Sequence, residues 1–277
     1  MPTVTVSAER SETAAPAVRR ARSASRRWRA PLLRLASVVV LLAAWQLYGQ
    51  RADARLFAPP SAVLQALVQM AGGGELGKAL GQSLSVFAIG LVLAVVVGIA
   101  VGLAMGRSRV CEALLDVPLL ALYAMPMVAL VPVVVLWTGF GPVTKVIVVF
   151  LFSVFAIVFN TARGVREVDA QLIEVARSYL ASEAGLWRDV VLPSALPYIV
   201  TGVRLAVGRA LVGVVVAEFY TAISGLGNLI VTYANSFQTA KVFVPVVVLM
   251  ALGVLLTGLL QLVERAFAPW QTVQEGT

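Results

Sequence analysis

The chain has 277 residues, 60% of them hydrophobic and only 13% charged; a soluble domain carries roughly 25% charged residues, so a water-soluble globular protein is excluded. There is no histidine and one cysteine, which removes imidazole acid–base chemistry, histidine metal ligation, cysteine metal cages and internal disulfides. The net charge of +8 gathers in the N-terminal stretch and in short loops between apolar runs. Membrane topology produces that distribution, so nucleic acid is not a partner read from it.

Residues 1–31, rich in Ser, Ala, Thr, Pro and Arg, read as a disordered basic arm whose contact is anionic membrane lipid. SRRWRA before an apolar run imitates a secretory or twin-arginine signal, but with further spans behind it the segment reads as an uncleaved anchor. The first span, 32–49, is short: the uncharged run 35–50 falls below the roughly 20 residues of a full crossing, and Arg34 is expected to snorkel. A loop follows, with a short amphipathic helix Ser61–Met70 N-capped by Ser61. GGGELGKA (Gly72–Ala79) nearly fits a phosphate-binding loop. Ala79 replaces the Mg-binding hydroxyl and no buried strand precedes it, so it reads as a chance match.

The second span, 84–105, repeats small residues every four positions: Gly90, Ala94, Gly98, Gly102 and Gly106. That spacing makes one smooth face for close helix packing, within one subunit or between two. Cys111, just beyond, reads as a small apolar filler. The third span, 113–137, contains Pro118, Pro126 and Pro132. Prolines free carbonyls that need protein or a water-lined cavity nearby, so Pro126 and Pro132 are candidates for lining a pathway, with plain bundle packing as the alternative. The fourth span is 143–162, the fifth 196–219 and the sixth 242–263, with a tail at 266–277. The membrane domain is therefore 32–265, an all-α polytopic membrane protein of about six transmembrane helices, without an internal repeat.

Lys and Arg set the expected orientation. Eight arginines flank the first span on its N-terminal side, and Arg107, Arg109, Arg163, Arg166, Arg177, Arg188 and Arg265 share that side; Arg51, Arg55, Lys78, Lys145 and Lys241 fall opposite. The positive-inside rule then makes both termini cytoplasmic. Arg209 lies some 12 residues into the fifth span, near mid-membrane, where a charge costs at least ~2.5 kcal/mol and must face protein or water. It either lends positive potential to an anion pathway or bonds carbonyls freed by the prolines. Arg204 reads as a snorkelling or structural residue, and Asp116 and Glu218 as lying near span ends.

The stretch Arg163–Ala195 is the most charged in the membrane domain. Asp169 is placed to cap a helix on which Leu172, Ile173, Ala176 and Leu180 share one face. Some thirty residues is long for an idle connector between antiparallel spans, which favours docking into a partner's groove.

The sequence Glu174-Val175-Ala176, followed by Leu192-Pro193, resembles the cytoplasmic loop signature of ABC-importer permeases. The third-span sequence LLDVPLLALYAMPMVALVPVVVLWTGFG, and GVRLAVGRALVGVVVAEF followed by GLGNLI, are similar to the nitrate, sulfonate and taurine subfamily. The resemblance covers most of 80–265. It implies a permease of the bacterial cell membrane that is no enzyme itself, working with an ABC ATPase dimer, a second permease copy (a homodimer) and an extracytoplasmic solute-binding protein. It further implies that ATP and Mg are used by the ATPase and no cofactor by this chain. Glu174, Ala176, Arg177, Leu180, Leu192 and Pro193 would couple the ATPase to the spans. Leu180 stands where the family usually has Gly, and is expected to let the helix run on or to shift its docking angle. A secondary transporter or channel would need intramembrane coupling groups, and a membrane enzyme a nucleophile–base pair; neither stands out.

Overall fold

A computed structural model describes residues 21–53, 55–221 and 223–267, with side-chain surroundings for most of 33–262. The elements are helices: α1 (Ala21–Arg51), α2 (Pro60–Gly72), α3 (Glu75–Arg107), α4 (Arg109–Ala124), α5 (Val131–Thr138), α6 (Pro142–Arg166), α7 (Ala170–Ser178), α8 (Glu183–Leu186), α9 (Leu192–Thr221), α10 (Leu226–Asn235) and α11 (Thr239–Phe267). No strand occurs among the described residues. Of the expected N-terminal arm, 1–20 lies outside the described residues, whereas helix α1 already begins at Ala21. The expected tail 266–277 lies almost wholly outside them too.

Four helices among the described residues are long and apolar enough to cross a membrane: Glu75–Arg107, Pro142–Arg166, Glu183–Thr221 and Thr239–Leu260. The pair Arg109–Ala124 and Met127–Thr138, bent by 92°, makes a fifth if counted as one span. The first of the six expected spans lies in helix α1, partly outside the residues whose side chains are described, so this count neither includes nor excludes it. The segment of that first expected span is helical within α1.

Helix α6 is the centre of the bundle, with α3 on one side and α9 on the other. Sequence dictates both contacts. A Cβ on Gly90, Gly98, Gly102 or Gly106 would come within 2.6, 2.8, 2.6 and 2.5 Å of Val149, Ile157, Thr161 and Val165 respectively, and Ala94 is fully buried. The four-residue repeat of α3 thus meets a four-residue repeat of α6, and the small-residue face serves packing within one subunit. On α9, Gly202 and Gly213 lie a little less closely on Ala156–Asn160 and Val149–Phe152, where a Cβ would come within 3.0 and 3.1 Å, while Gly164 of α6 receives Tyr198. α3, α6 and α9 form one block.

The expected third span is not a kinked rod but two helices. The break falls at Met125–Pro126, both extended (φ −72°, ψ 141° and φ −65°, ψ 102°). Proline disfavours the helical region for the residue before it. Pro132 sits at the start of α5, where its missing N–H costs nothing, and Pro118 stays inside α4.

At the N-terminal end of α3, a cap is built from α2, α10 and the start of α11 around Ala58, Val63, Ala66, Met70, Leu226, Leu229 and Val244. Trp45 of α1 joins it by donating to the Ala58 carbonyl at 3.0 Å. Ser61 does not cap α2. Pro59 takes the cap position without a side-chain bond, and Ser61 instead pairs with Gln46 of α1 at 3.0 and 3.1 Å. Within Gly72–Ala79, Gly73 and Gly74 make the tight turn from α2 into α3, with Gly74 at φ +72°. A helix precedes it, where a phosphate-binding loop requires a strand.

Candidate functional site

The loop end of the bundle carries α7. Asp169 accepts from the Gln171 N–H at 2.8 Å, as the sequence predicts. α7 then stops at Ser178, and Leu180 takes φ +58°. The Ala181 N–H reaches the Ala176 carbonyl (3.1 Å) and the Leu180 N–H the Arg177 carbonyl (2.9 Å). This is a Schellman stop, made with a leucine where glycine is the unstrained choice. Leu180 therefore neither continues the helix nor shares its face. The expected apolar face is also split: Ile173 and Ala176 turn partly inward, while Leu172, Val175, Tyr179 (84% exposed) and Leu180 (91%) point out. Glu174 and Arg177 line a shallow groove beside them.

The return from α7 is one continuous helical stretch, Glu183–Thr221, so the helix that carries the fifth span begins well before residue 196. At ~1.5 Å per residue it exceeds a ~30 Å bilayer core and projects beyond it towards α7. A π turn at Trp187–Val191 lies within it. Pro193 crowds the carbonyl four residues back, Asp189, and the wide π turn absorbs that conflict. Leu192 and Pro193 thus open the straight part of the span.

Several contacts tie this end to the block. Arg166 meets Glu112 of α4 at 2.6 Å, and Arg163 meets Glu167 at 2.7 Å. The Arg107 guanidinium lies 5.2 Å from the Trp187 ring centre. Tyr198 donates to Glu167. That hydroxyl first, and then Arg163, holds the Glu167 carboxyl below the ordinary carboxylate range.

Arg209 donates to the Tyr123 hydroxyl at 2.6 Å and stands 4.7 Å over its ring. Tyr123 lies two residues before the break at Met125 and packs on Phe155 and Phe159. The partner of Arg209 is thus an aromatic hydroxyl beside the break rather than a freed carbonyl. The pair joins α9 to the bent span.

At the opposite, cap end lies a polar cluster that sequence reasoning missed. Glu218, fully buried on α9, accepts from Ser83 Oγ of α3 (2.7 Å) and from the Gly227 N–H (2.7 Å), while the Leu226 N–H donates to Ser83 Oγ (2.9 Å). Lys145 of α6 donates through Nζ to the carbonyl and hydroxyl oxygens of Ser224 at 2.7 and 2.9 Å. All three block helices therefore hold the turn Ser224–Gly227, and Glu218 and Ser83 satisfy the first N–H groups of α10. Gly225, at φ +101°, would place a Cβ 1.9 Å from Glu218 Oε1, so only glycine fits. The available signal was an acid inside an apolar span, shortly before GLGN; proximity to the span end made it look solvated. No group of three or more metal-ligating side chains occurs among the described residues.

The described residues make a helical bundle with four or five candidate membrane spans and one exposed loop helix, α7. The chain belongs to the family of binding-protein-dependent transport system inner membrane components, whose model matches residues 90–269. It is 39% identical to SsuC of Escherichia coli K12, a permease protein named for aliphatic sulfonates transport, over 84% of this chain and 89% of that one. SsuC of Bacillus subtilis 168 is 34% identical (86% and 87% covered), and the taurine transport system permease protein TauC of Escherichia coli K12 31% (88% and 93%). The fold is that of solved ABC transporters. An amino acid ABC transporter matches with a TM-score of 0.56 at 17% identity, over 72% of this chain and 97% of that one; the MetNI methionine transporter matches with 0.56 at 19%, over 70% and 96%. The chain is a multi-pass inner-membrane permease of an ABC importer, and its family works with an ATPase and a substrate-binding protein.

Proposed function

We propose that this permease carries a small organic anion, a sulfonate or taurine in the first place and nitrate less closely, and that α7 is its ATPase-coupling element. The observation that carries the coupling role is the loop end itself. α7 presents Leu172, Val175, Tyr179 and Leu180 outward and leads into a rod running to Thr221. In this reading the α6–α9 loop and both termini face the cytosol, in keeping with the Lys and Arg distribution. An ATPase dimer closing on ATP and Mg pushes α7, and Glu174, Ala176 and Arg177 meet its groove. The push passes through the π turn and Leu192–Pro193 into α9. Close glycine contacts make α3, α6 and α9 move together against the bent span, and the Arg209–Tyr123 pair is the joint that yields. The chain itself binds no nucleotide; its partners are the ATPase dimer, a second copy of itself, an external binding protein and the surrounding lipid.

Arg209, with Pro126 and Pro132 at the break, is assigned to the pathway. A guanidinium has five N–H donors, so the Tyr123 bond leaves donors for an oxyanion. The decisive experiment reconstitutes the chain with its ATPase and binding protein and measures ATP-dependent uptake of labelled taurine and alkylsulfonate. Glu174→Lys and Ala176→Glu should insert normally yet lose at least about tenfold in uptake; full uptake would remove the coupling role. Unchanged uptake by assembled Arg209→Gln would remove Arg209 from the pathway.

A further inference from the structure

At the cap end, a cavity of about 320 Å³ opens between the start of α6, α3 and the turn before α10. That volume is at the lower end for small-molecule sites. Its polar lining comes from Lys145, Ser224, Gln82 and Ser85, and its apolar walls include Ile89 and Ile223. Lys145 is only 3% exposed. Its ammonium has three N–H donors; Ser224 takes two of them, which leaves one without an acceptor among the described contacts, on a side chain that lines the cavity. The Gln82 amide has no protein partner among the described contacts and adds donors. Ser85 gives its proton to the Gly81 carbonyl (2.5 Å) and offers only lone pairs.

Two further features set the sign of the site. Among the described residues no carboxylate lines the cavity; Glu218, behind Lys145, has its oxygens on Ser83 and Gly227. Gly141 and Pro142, at the start of the 25-residue helix α6, also line it, and Gly141 supplies no side-chain cap. The positive end of that helix adds to the lysine charge.

We propose that this cavity seats a tetrahedral oxyanion, sulfonate or phosphate, attached to a short apolar group. Lys145 and Gln82 hold the oxygens, and the isoleucines cover the carbon part. The same chemistry has two sources, a free alkylsulfonate or the headgroup of an anionic phospholipid.

The test uses the full chain alone in zwitterionic nanodiscs, so its result is independent of ATPase coupling. Calorimetry with ethanesulfonate probes the free solute, and native mass spectrometry after adding phosphatidylglycerol probes the lipid. At least one probe is expected to bind the wild type. Gln82→Glu, which puts a carboxylate at the cavity without touching the Lys145–Ser224 tie, should weaken that binding at least tenfold; Lys145→Met should do the same. Loss of ethanesulfonate binding in both variants identifies a solute seat, and loss of lipid retention in both a lipid seat. No binding of either probe overturns the proposal. So does binding that Gln82→Glu leaves within twofold, because a purely structural Lys145 would account for any remaining effect.

Discussion

The two ends of the bundle solve opposite problems. At the cap end, three buried polar side chains from three helices close on one turn: Ser83 donates to Glu218, and Glu218, Ser83 and Lys145 each bond within Ser224–Gly227. Each polar atom buried there would cost about 1–3 kcal/mol if left unpaired, so the cluster holds as a unit. At the loop end, the links are surface ion pairs, Arg163–Glu167 and Arg166–Glu112, worth about 0–1 kcal/mol each, and the most exposed apolar side chains, Tyr179 and Leu180, face away from the chain's own core. One end completes itself; the other leaves its apolar side chains uncovered.

Substitutions should reveal that difference in order of size. Gly225→Ala forces a side chain onto Glu218 at a positive φ, combining backbone strain with overpacking, about 3 kcal/mol or more. Its yield of folded protein, followed by size-exclusion fluorescence on heating, should collapse; a near-normal profile would mean the cap end is loose. Glu218→Ala comes next. Truncation leaves Ser83 and the Gly227 N–H without their acceptor, a loss of about 2–4 kcal/mol, whereas Glu218→Gln retains an acceptor and should lose less than half as much in the same melt.

At the loop end, Val175→Asp should leave the melt within about 0.5 kcal/mol of wild type while cutting co-purification of the ATPase severalfold; a large fall in stability would show that the exposed face packs within the chain. Leu180→Gly should stabilise α7 by about 1 kcal/mol, since glycine removes the left-handed strain at some cost in chain entropy. Amide exchange slowed at Ala181 relative to wild type is the readout.

The smallest effect concerns pH. The folded Glu167 carboxyl lies below its free value, so its contribution is complete above the ordinary carboxylate range. It fades as the pH falls through the lowered folded value. Proteolysis within 167–182 should quicken there in wild type, while Glu167→Gln should show no such step.

The difference between the ends also decides how much of each could be read in advance. The loop end is built from local signals: an Asp cap, an amphipathic turn, a charged stretch and a Leu-Pro return are all nearest-neighbour features of one segment. Even there, Leu180 misled, because a Schellman stop is set by backbone hydrogen bonds that the absence of glycine does not forbid. The cap-end cluster joins residues 83, 145, 218 and 224–227, far apart in sequence, and no periodicity marks them. Arg209 was legible as a costly mid-span charge, but Tyr123 as its partner was not, because the 92° break that brings them together reads in sequence only as one proline among three.

By itself, the amino-acid order determined that this chain lives in a membrane as a helical bundle, that α3 presents a small-residue face, and that one long charged loop carries a short amphipathic helix. Those follow from hydropathy and helical period, which are properties of short windows. Only the tertiary structure decided which helix receives that face, that Glu218 is buried and paired rather than solvated at a span end, and that a lysine-lined cavity stands at the start of α6. Such facts depend on which distant segments meet, and a polar group in a bilayer is tolerated only where that meeting supplies its partners.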